Sequence, residues 1–225
     1  MFRVVGFIAL IVLLGGCSEP AAPAAAVKKK PKKSPLPQVE VAPVEVAADE
    51  FATIDTALVE LDRAVSLPDG EEHNRAVLRC QKWLLLQQGE SVAPLAERLR
   101  DSQQSLGMRL TACRILALLG PAGAEPLIAV AKKDDSPQLR RQAIGMLGTI
   151  KPTPPAAIDM LIDLLDEPES GVLAKAIEVI TKQGEAAKRA SPKLGQLRVN
   201  HKEEHIRVAA GEALKKVDPR SSFVD

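Results

Sequence analysis

The sequence predicts an all-α fold, a right-handed α-solenoid of helix-pair repeats that follows a disordered tether. The main observation is an internal repeat, in which an arginine, an alanine and a large aliphatic residue recur at fixed spacings. The four copies are Arg109, Ala112 and Leu116; Arg140, Ala143 and Leu147; Leu173, Ala176 and Ile180; and Arg207, Ala210 and Leu214. Offsets of three and seven residues place each set on one helical face. Recurrence at intervals of 31 to 34 residues is typical of stacked helix pairs.

The composition supports the same fold. Alanine and leucine, which favour helices, dominate a chain that is 46% hydrophobic and 26% charged. Aromatic residues make up only 2% of the chain, and tyrosine is absent. Because proteins that bind single-stranded nucleic acid usually stack bases on aromatic rings, we expect no nucleic-acid partner. Charge is uneven, since residues 49–72 are strongly acidic and residues 182–216 are basic.

Residues 1–16 have the pattern of an export signal. Arg3 precedes an apolar run over residues 4–14, which is too short to span a bilayer as a stable helix. The run ends in Leu-Gly-Gly-Cys at residues 14–17, which resembles the lipobox of bacterial lipoproteins. The resemblance implies cleavage before Cys17 and attachment of lipid to its sulfur. The alternative is an ordinary signal peptide with a chance cysteine.

Lipidation of Cys17 implies a protein that is anchored to a membrane without crossing it, because two or more acyl chains anchor stably. Ser18 follows the cysteine. In double-membraned bacteria, the lipoprotein resemblance then implies sorting to the outer membrane. We expect an exported, lipid-anchored protein, on the periplasmic face of the outer membrane if the organism has two membranes.

Residues 17–48 are predicted to form a disordered tether. Six prolines interrupt its alanine-rich sequence, and no apolar period of a strand or helix is present. The tether contains five clustered lysines, which are Lys28, Lys29, Lys30, Lys32 and Lys33. These lysines could contact anionic lipid or the cell wall, or they could simply keep the tether soluble.

Residues 49–90 are predicted to form a capping helix pair at the N-terminal end of the repeats. Apolar residues at spacings of three and four predict a helix over residues 50–66. A turn at residues 67–70 separates it from a second helix over residues 71–88. We interpret this pair as a cap, because an end unit has one neighbour and turns a polar face to water.

Residues 91–218 are predicted to form four repeats, followed by a tail at residues 219–225. A proline near the start of the first helix is seen in three repeats, at Pro94, Pro126 and Pro192.

The best-defined unit spans residues 119–143. It combines a terminal Leu-Gly, a Pro-Leu pair, an aspartate-containing turn and the repeat arginine. This order resembles HEAT-type repeats, especially the HEAT-like form that is also found in bilin lyases, and residues 184–214 match nearly as well. The third unit departs from the pattern, because Leu173 replaces the arginine and residues 159–161 replace the Pro-Leu pair.

The HEAT resemblance implies protein binding through the concave surface formed by the second helices. Six polar residues on that face are the candidate binding residues, namely Arg114, Arg141, Glu178, Lys182, Glu212 and Lys215. The repeat arginines are expected to be structural, reaching back to the aspartate-bearing turns or to helix ends.

The predicted function is therefore a membrane-anchored lipoprotein whose solenoid is a scaffold or adaptor for another protein in the cell envelope. One alternative is a HEAT-like lyase or enzyme-accessory protein, by analogy with bilin lyases. Another is a structural lipoprotein associated with the cell wall. No phosphate-binding loop, nucleophile motif or paired acids are evident, so we expect no enzyme activity and no cofactor.

Three further features resemble functional sites. Residues 201–205 match the H-x-x-E-H arrangement of zinc proteases, but we interpret them as a helix start and expect no metal. The acidic run at residues 159–169 is interpreted as an exposed helix side, with a weak calcium site or a cationic partner as the alternative. Cys80 and Cys113 are interpreted as buried thiols, with a disulfide as the alternative.

Overall fold

The structure is a computed structural model that describes residues 46–47 and 49–220. The predicted signal peptide, Cys17 and the five tether lysines lie outside the described residues, as do residues 221–225 of the predicted tail. Within the described part of the chain, no helix is both long enough and apolar enough to cross a membrane.

The described residues are mostly helical and contain no β-strand, so the predicted all-α solenoid is confirmed. The helices are α1 (Ile54–Val65), α2 (Glu71–Leu86), α3 (Val92–Arg100), α4 (Leu106–Leu118), α5 (Ala124–Lys133), α6 (Pro137–Leu147), α7 (Pro155–Asp163), α8 (Ser170–Gln183), α9 (Ser191–Asn200) and α10 (Glu204–Val217). Short 3-10 segments occupy Gln88–Ser91, Gly120–Gly123, Leu164–Asp166 and Gly184–Ala190.

The repeats form two rows of helices. We call the first helix of each repeat pair an A helix (α3, α5, α7 and α9) and the second a B helix (α4, α6, α8 and α10). The B helices pack in sequence order, with α4 against α6, α6 against α8, and α8 against α10. In the other row, α3 packs against α5 and α5 against α7. Each pair therefore buries one face within itself and another against the next pair, as a solenoid requires.

The repeat residues form the interior of this stack. The four repeat alanines and the four aliphatic residues that follow them are fully buried. Alanine lets neighbouring helices approach closely, and the larger side chains fill the layer behind it. Full burial of one such leucine or isoleucine contributes about 1.5–3 kcal/mol. A single hydrophobic core runs from Ala57 to Val217.

Glycines shape the ends of two B helices. Gly120 and Gly184 each lie eight residues after a repeat alanine, with φ angles of 70° and 56°. Residues with a side chain rarely adopt this conformation, so glycine ends the helix here without strain. Gly123 is required for a different reason, since a Cβ at this position would lie 1.9 Å from the carbonyl oxygen of Leu116.

The N-terminal pair differs from its predicted bounds. Helix α1 starts at Ile54 instead of residue 50, because the Thr53 side chain accepts a hydrogen bond from the backbone of Thr56 and caps the helix. Phe51 therefore precedes the helix and packs edge-on against Trp83, with ring centroids 5.4 Å apart. Helix α2 ends at Leu86, just before the 3-10 segment Gln88–Ser91.

Candidate interaction surface

Two of the repeat arginines, Arg109 and Arg140, hold one helix pair to the next. Arg109, on α4, is buried, and its Nε donates a hydrogen bond to the carbonyl oxygen of Leu99 at 2.9 Å, near the end of α3. Its Nη2 forms an ion pair with Asp134, in the turn between α5 and α6. The two side chains are 9% and 12% exposed, so salt screens this pair little. The arginine is structural, and its carboxylate contact runs forward along the chain to the next pair, not back as expected.

The second repeat also forms an ion pair to the next helix pair, whereas the third repeat forms a hydrogen bond there instead. Arg140 donates from both terminal nitrogens to the Glu167 carboxylate, at 2.9 and 3.1 Å, in the turn before α8. Leu173 is buried and cannot form such a pair. In that unit, the Ser170 hydroxyl donates to Glu203 at 2.5 Å, in the turn before α10. This hydrogen bond lowers the pKa of the Glu203 carboxyl.

The acidic run at residues 159–169 also connects helix pairs. Its ion pairs are Asp159 with Arg189, Asp163 with Lys132, Asp166 with Lys193, Glu167 with Arg140, and Glu169 with Arg141. Four of the five basic partners belong to the preceding or the following helix pair, and Arg189 lies in the 3-10 segment just before α9. Because the carboxylates already meet cations of the solenoid itself, the geometry does not favour the calcium or cationic-partner alternative.

The six candidate binding residues all lie on B helices, as predicted from the repeat, and are Arg114, Arg141, Glu178, Lys182, Glu212 and Lys215. Arg114 is exposed and forms no ion pair with any described residue. Arg141 is partly exposed, and its Nη1 lies 3.7 Å from the Glu169 carboxylate at the start of α8. Arg114 is therefore available for a partner, whereas Arg141 is partly engaged.

The remaining candidates fall into two groups. Glu178 accepts hydrogen bonds from Lys175 at 2.8 Å and from Lys182 at 2.6 Å. These hydrogen bonds lower the pKa of the Glu178 carboxyl. Glu212 and Lys215 are exposed on α10 and form no ion pair among residues 46–47 and 49–220. The structure thus brings Glu178 and Lys182 together but places Glu212 and Lys215 at the far end of the row.

The structure also reveals an apolar feature that the sequence analysis missed. Leu106, Leu110, Arg114 and Leu118 recur every four residues on α4, and we call them the α4 stripe. Leu106 is 40% exposed and Leu118 is 54% exposed, while Leu110 is half-buried against the core. The recurrence of these residues every four positions could have indicated the stripe from the sequence. Leucines on a helix are, however, usually assigned to the core.

The histidine segment has no metal-site geometry. His201 lies in the turn before α10, and its Nδ1 accepts a hydrogen bond from the backbone of Glu203 at 3.1 Å. His205 is on α10, with Nε2 3.5 Å from the Glu203 carboxylate. In the described ranges, no group of three histidine, cysteine, aspartate or glutamate side chains could hold a metal ion.

The two described cysteines are free and buried, so the disulfide alternative does not hold. Burial raises the pKa of the Cys80 thiol to about 11. Burial likewise raises the pKa of the Cys113 thiol to about 12. Since the thiolate is the reactive form, both side chains behave as small core residues.

Comparison with known proteins identifies the repeat type. A family model described as HEAT repeats matches residues 92–181, which include the third unit with Leu173 and end before α9. A search of curated proteins finds no match.

Among solved structures, 21 chains match. One belongs to the complex of CpcE and CpcF of phycocyanin lyase from Nostoc sp. PCC7120. It is 19% identical, with a TM-score of 0.52, and the match covers 70% of this chain and 97% of that chain. At this identity the likeness shows the fold, a solenoid of HEAT-like repeats.

Proposed function

Starting from a HEAT-like repeat domain, we propose that this protein is an exported lipoprotein, anchored through Cys17, whose solenoid binds another protein of the cell envelope. The lipobox resemblance at residues 14–17 supports the anchor. Arg109, Arg140 and Asp159 form ion pairs within the solenoid, so the proposed binding role rests on other side chains.

The observation that carries the binding role is the α4 stripe. The stripe contains two exposed leucines, Leu106 at 40% and Leu118 at 54%, and Arg114, whose guanidinium has no ion pair among the described residues. Exposing leucines costs hydrophobic stabilisation, and apolar side chains with a central arginine are typical of protein interfaces. The stripe therefore supports a protein partner at the B helices.

The charge beside the stripe indicates the chemistry of the partner. Arg141 on α6 and Lys182 on α8 continue the basic character of Arg114 along the B helices. Glu178 forms ion pairs with Lys175 and Lys182, and its negative charge therefore neutralises part of the positive charge on α8. A partner segment with apolar side chains and carboxylates would complement this surface.

Site-specific photo-crosslinking in cells tests the proposal. A photoreactive residue at Leu118 should capture a protein partner, whereas the same residue at Val199, which is 72% exposed on α9, serves as the matched control. Adding Arg114→Glu should reduce the yield at position 118 without lowering the melting temperature. Equal capture at both positions, or no effect of Arg114→Glu, would contradict binding at the α4 stripe.

The fold shared with the phycocyanin lyase chain supports a second candidate, an accessory protein of a lyase. Under this alternative, the purified protein should carry or stabilise a chromophore. An absorbance spectrum of the protein from its native cells separates the two candidates, because a pure scaffold shows no visible band.

A further inference from the structure

The B helix of the last repeat has one uncovered side. In the described part of the chain, α8 packs on one side of α10, and no helix packs on the opposite side. An open groove of about 460 Å³ lies there, lined in part by Arg207, Val208, Glu212 and Lys215.

The repeat register relates the lining of this groove to the face of α6 that meets the next helix pair. In α6, the residues two before, two after and five after the repeat alanine are Arg141, Gly145 and Gly148. All three face the next pair: Arg141 approaches Glu169, and Cβ atoms at Gly145 and Gly148 would lie 3.1 Å from Lys175 and 2.8 Å from Val179. The equivalent residues of α10 are Val208, Glu212 and Lys215, which line the groove.

Arg207 lacks the carboxylate contact that Arg109 and Arg140 make to the next pair. Arg109 binds a carbonyl of its own pair and the Asp134 carboxylate of the next pair. Arg207 donates to the carbonyl oxygens of His201 and Lys202 in its own pair, at 2.8 and 3.0 Å. No described carboxylate forms an ion pair with it, so the contact to a following pair is left unmade.

The turn between α1 and α2 supplies the matching charge. The carboxylates that receive Arg109 and Arg140 lie in the turn between the helices of the next pair. In the N-terminal capping pair, Asp69 lies in the corresponding turn and Glu71 and Glu72 begin α2, and all three are exposed. Asp69 and Glu72 form no ion pair with any residue that the structure describes. Helices α1 and α2 both pack against α4, so this pair caps the N-terminal side of the first repeat.

The overall charge favours the same pairing. Residues 49–72 carry eight acidic side chains and one basic, whereas residues 182–216 carry nine basic and four acidic. We propose that a second copy of this chain docks head to tail, with its acidic α1–α2 turn against Arg207 in the α10 groove. Such a contact joins two different surfaces, so it extends the stack from copy to copy. It is separate from the α4 stripe and independent of the function proposed above.

Two complementary variants test this contact in the full-length chain, purified in detergent. One is Arg207→Glu, and the other combines Asp69→Lys with Glu72→Lys. Light scattering over a range of concentrations should show self-association of the wild type that weakens with salt. Each variant alone should associate at least tenfold more weakly. An equimolar mixture should regain association, because one variant keeps the acidic turn and the other keeps Arg207.

Lys133→Glu, at the exposed end of α5, is the matched charge-reversal control and should associate like the wild type. Melting curves check folding, since Arg207 also binds carbonyls of its own pair. Asp69 and Glu72 have no such contacts, so the double variant should disturb the fold less than Arg207→Glu does, and its melting curve checks this. A wild type that stays monomeric at every concentration, or association that the double variant leaves unchanged, would overturn the proposal.

Discussion

Replacing Arg109 by methionine tests whether ion pairs between successive helix pairs stabilise the stack. Methionine keeps the unbranched apolar stem but removes the guanidinium. Asp134 then loses the cation of its ion pair while remaining 12% exposed. The hydrogen bond to the Leu99 carbonyl is also lost.

The expected cost follows from these two losses. Removing one partner of a buried ion pair costs about 3–5 kcal/mol, because the remaining charge is left uncompensated. The hydrogen bond to the carbonyl adds about 1 kcal/mol. Arg109→Met should therefore lower the free energy of unfolding by about 4–6 kcal/mol, a large share of the 5–15 kcal/mol typical of a domain.

Chemical denaturation monitored by circular dichroism measures this change, with Arg207→Met as the matched control. Arg207 occupies the same repeat position but binds only carbonyl oxygens of its own pair. At low protein concentration its replacement should cost about 1–2 kcal/mol, because no carboxylate loses its partner. If Arg109→Met costs no more than Arg207→Met, the ion pair between helix pairs does not stabilise the solenoid.

Three further predictions concern other parts of the molecule. Cys80 and Cys113 should resist alkylation at pH 8 until the protein is unfolded, because burial keeps both thiols protonated; rapid labelling of folded protein would contradict this. Gly123→Ala should cost about 2–3 kcal/mol in denaturation, since its Cβ would meet a backbone carbonyl oxygen at 1.9 Å. Gly89→Ala, with no atom within 4 Å, should change stability by less than about 0.5 kcal/mol. The lowered pKa of Glu178 favours its ionised form in the fold, so its stabilising contribution is present above the ordinary glutamate pKa and is lost as pH falls through the lowered value. An NMR titration should show this pKa return to the ordinary value when both flanking lysines become alanine, and an unchanged value would refute the assignment.

The repeat positions could be predicted because each is fixed by packing that recurs in every unit. A buried alanine must lie where two helices cross, so its spacing reports the period of the stack directly. All four repeat alanines are fully buried, including Ala176 in the unit where leucine replaces the arginine. Because Leu173 carries no positive charge, the contact between pairs differs in this unit, but the packing is intact.

The contacts between pairs could not be predicted at the level of individual side chains. Arg109 and Arg140 use Asp134 and Glu167, which lie 25 and 27 residues further along the chain. Several other carboxylates near those turns were equally plausible partners by sequence. The direction of the contact follows from how successive pairs stack, and a spacing within one helix does not contain that information.

The exposed leucines of the α4 stripe escaped prediction for a related reason. Helix α4 has apolar residues around most of its circumference, so periodicity cannot say which leucines face the core. Leu116 is fully buried while Leu118, two residues later, is 54% exposed. Only the positions of the neighbouring helices distinguish the two.

In-cell crosslinking of the full-length protein, followed by mass spectrometry, tests the central claim most directly. Cys17→Ala provides a control in which the proposed lipid anchor is lost. We predict one abundant protein crosslinked through residues 91–218, with contacts on the B helices, and loss of these crosslinks in the Cys17→Ala variant. Crosslinks confined to residues 17–48, or to cell-wall fragments alone, would contradict a scaffold and favour a structural role for the tether.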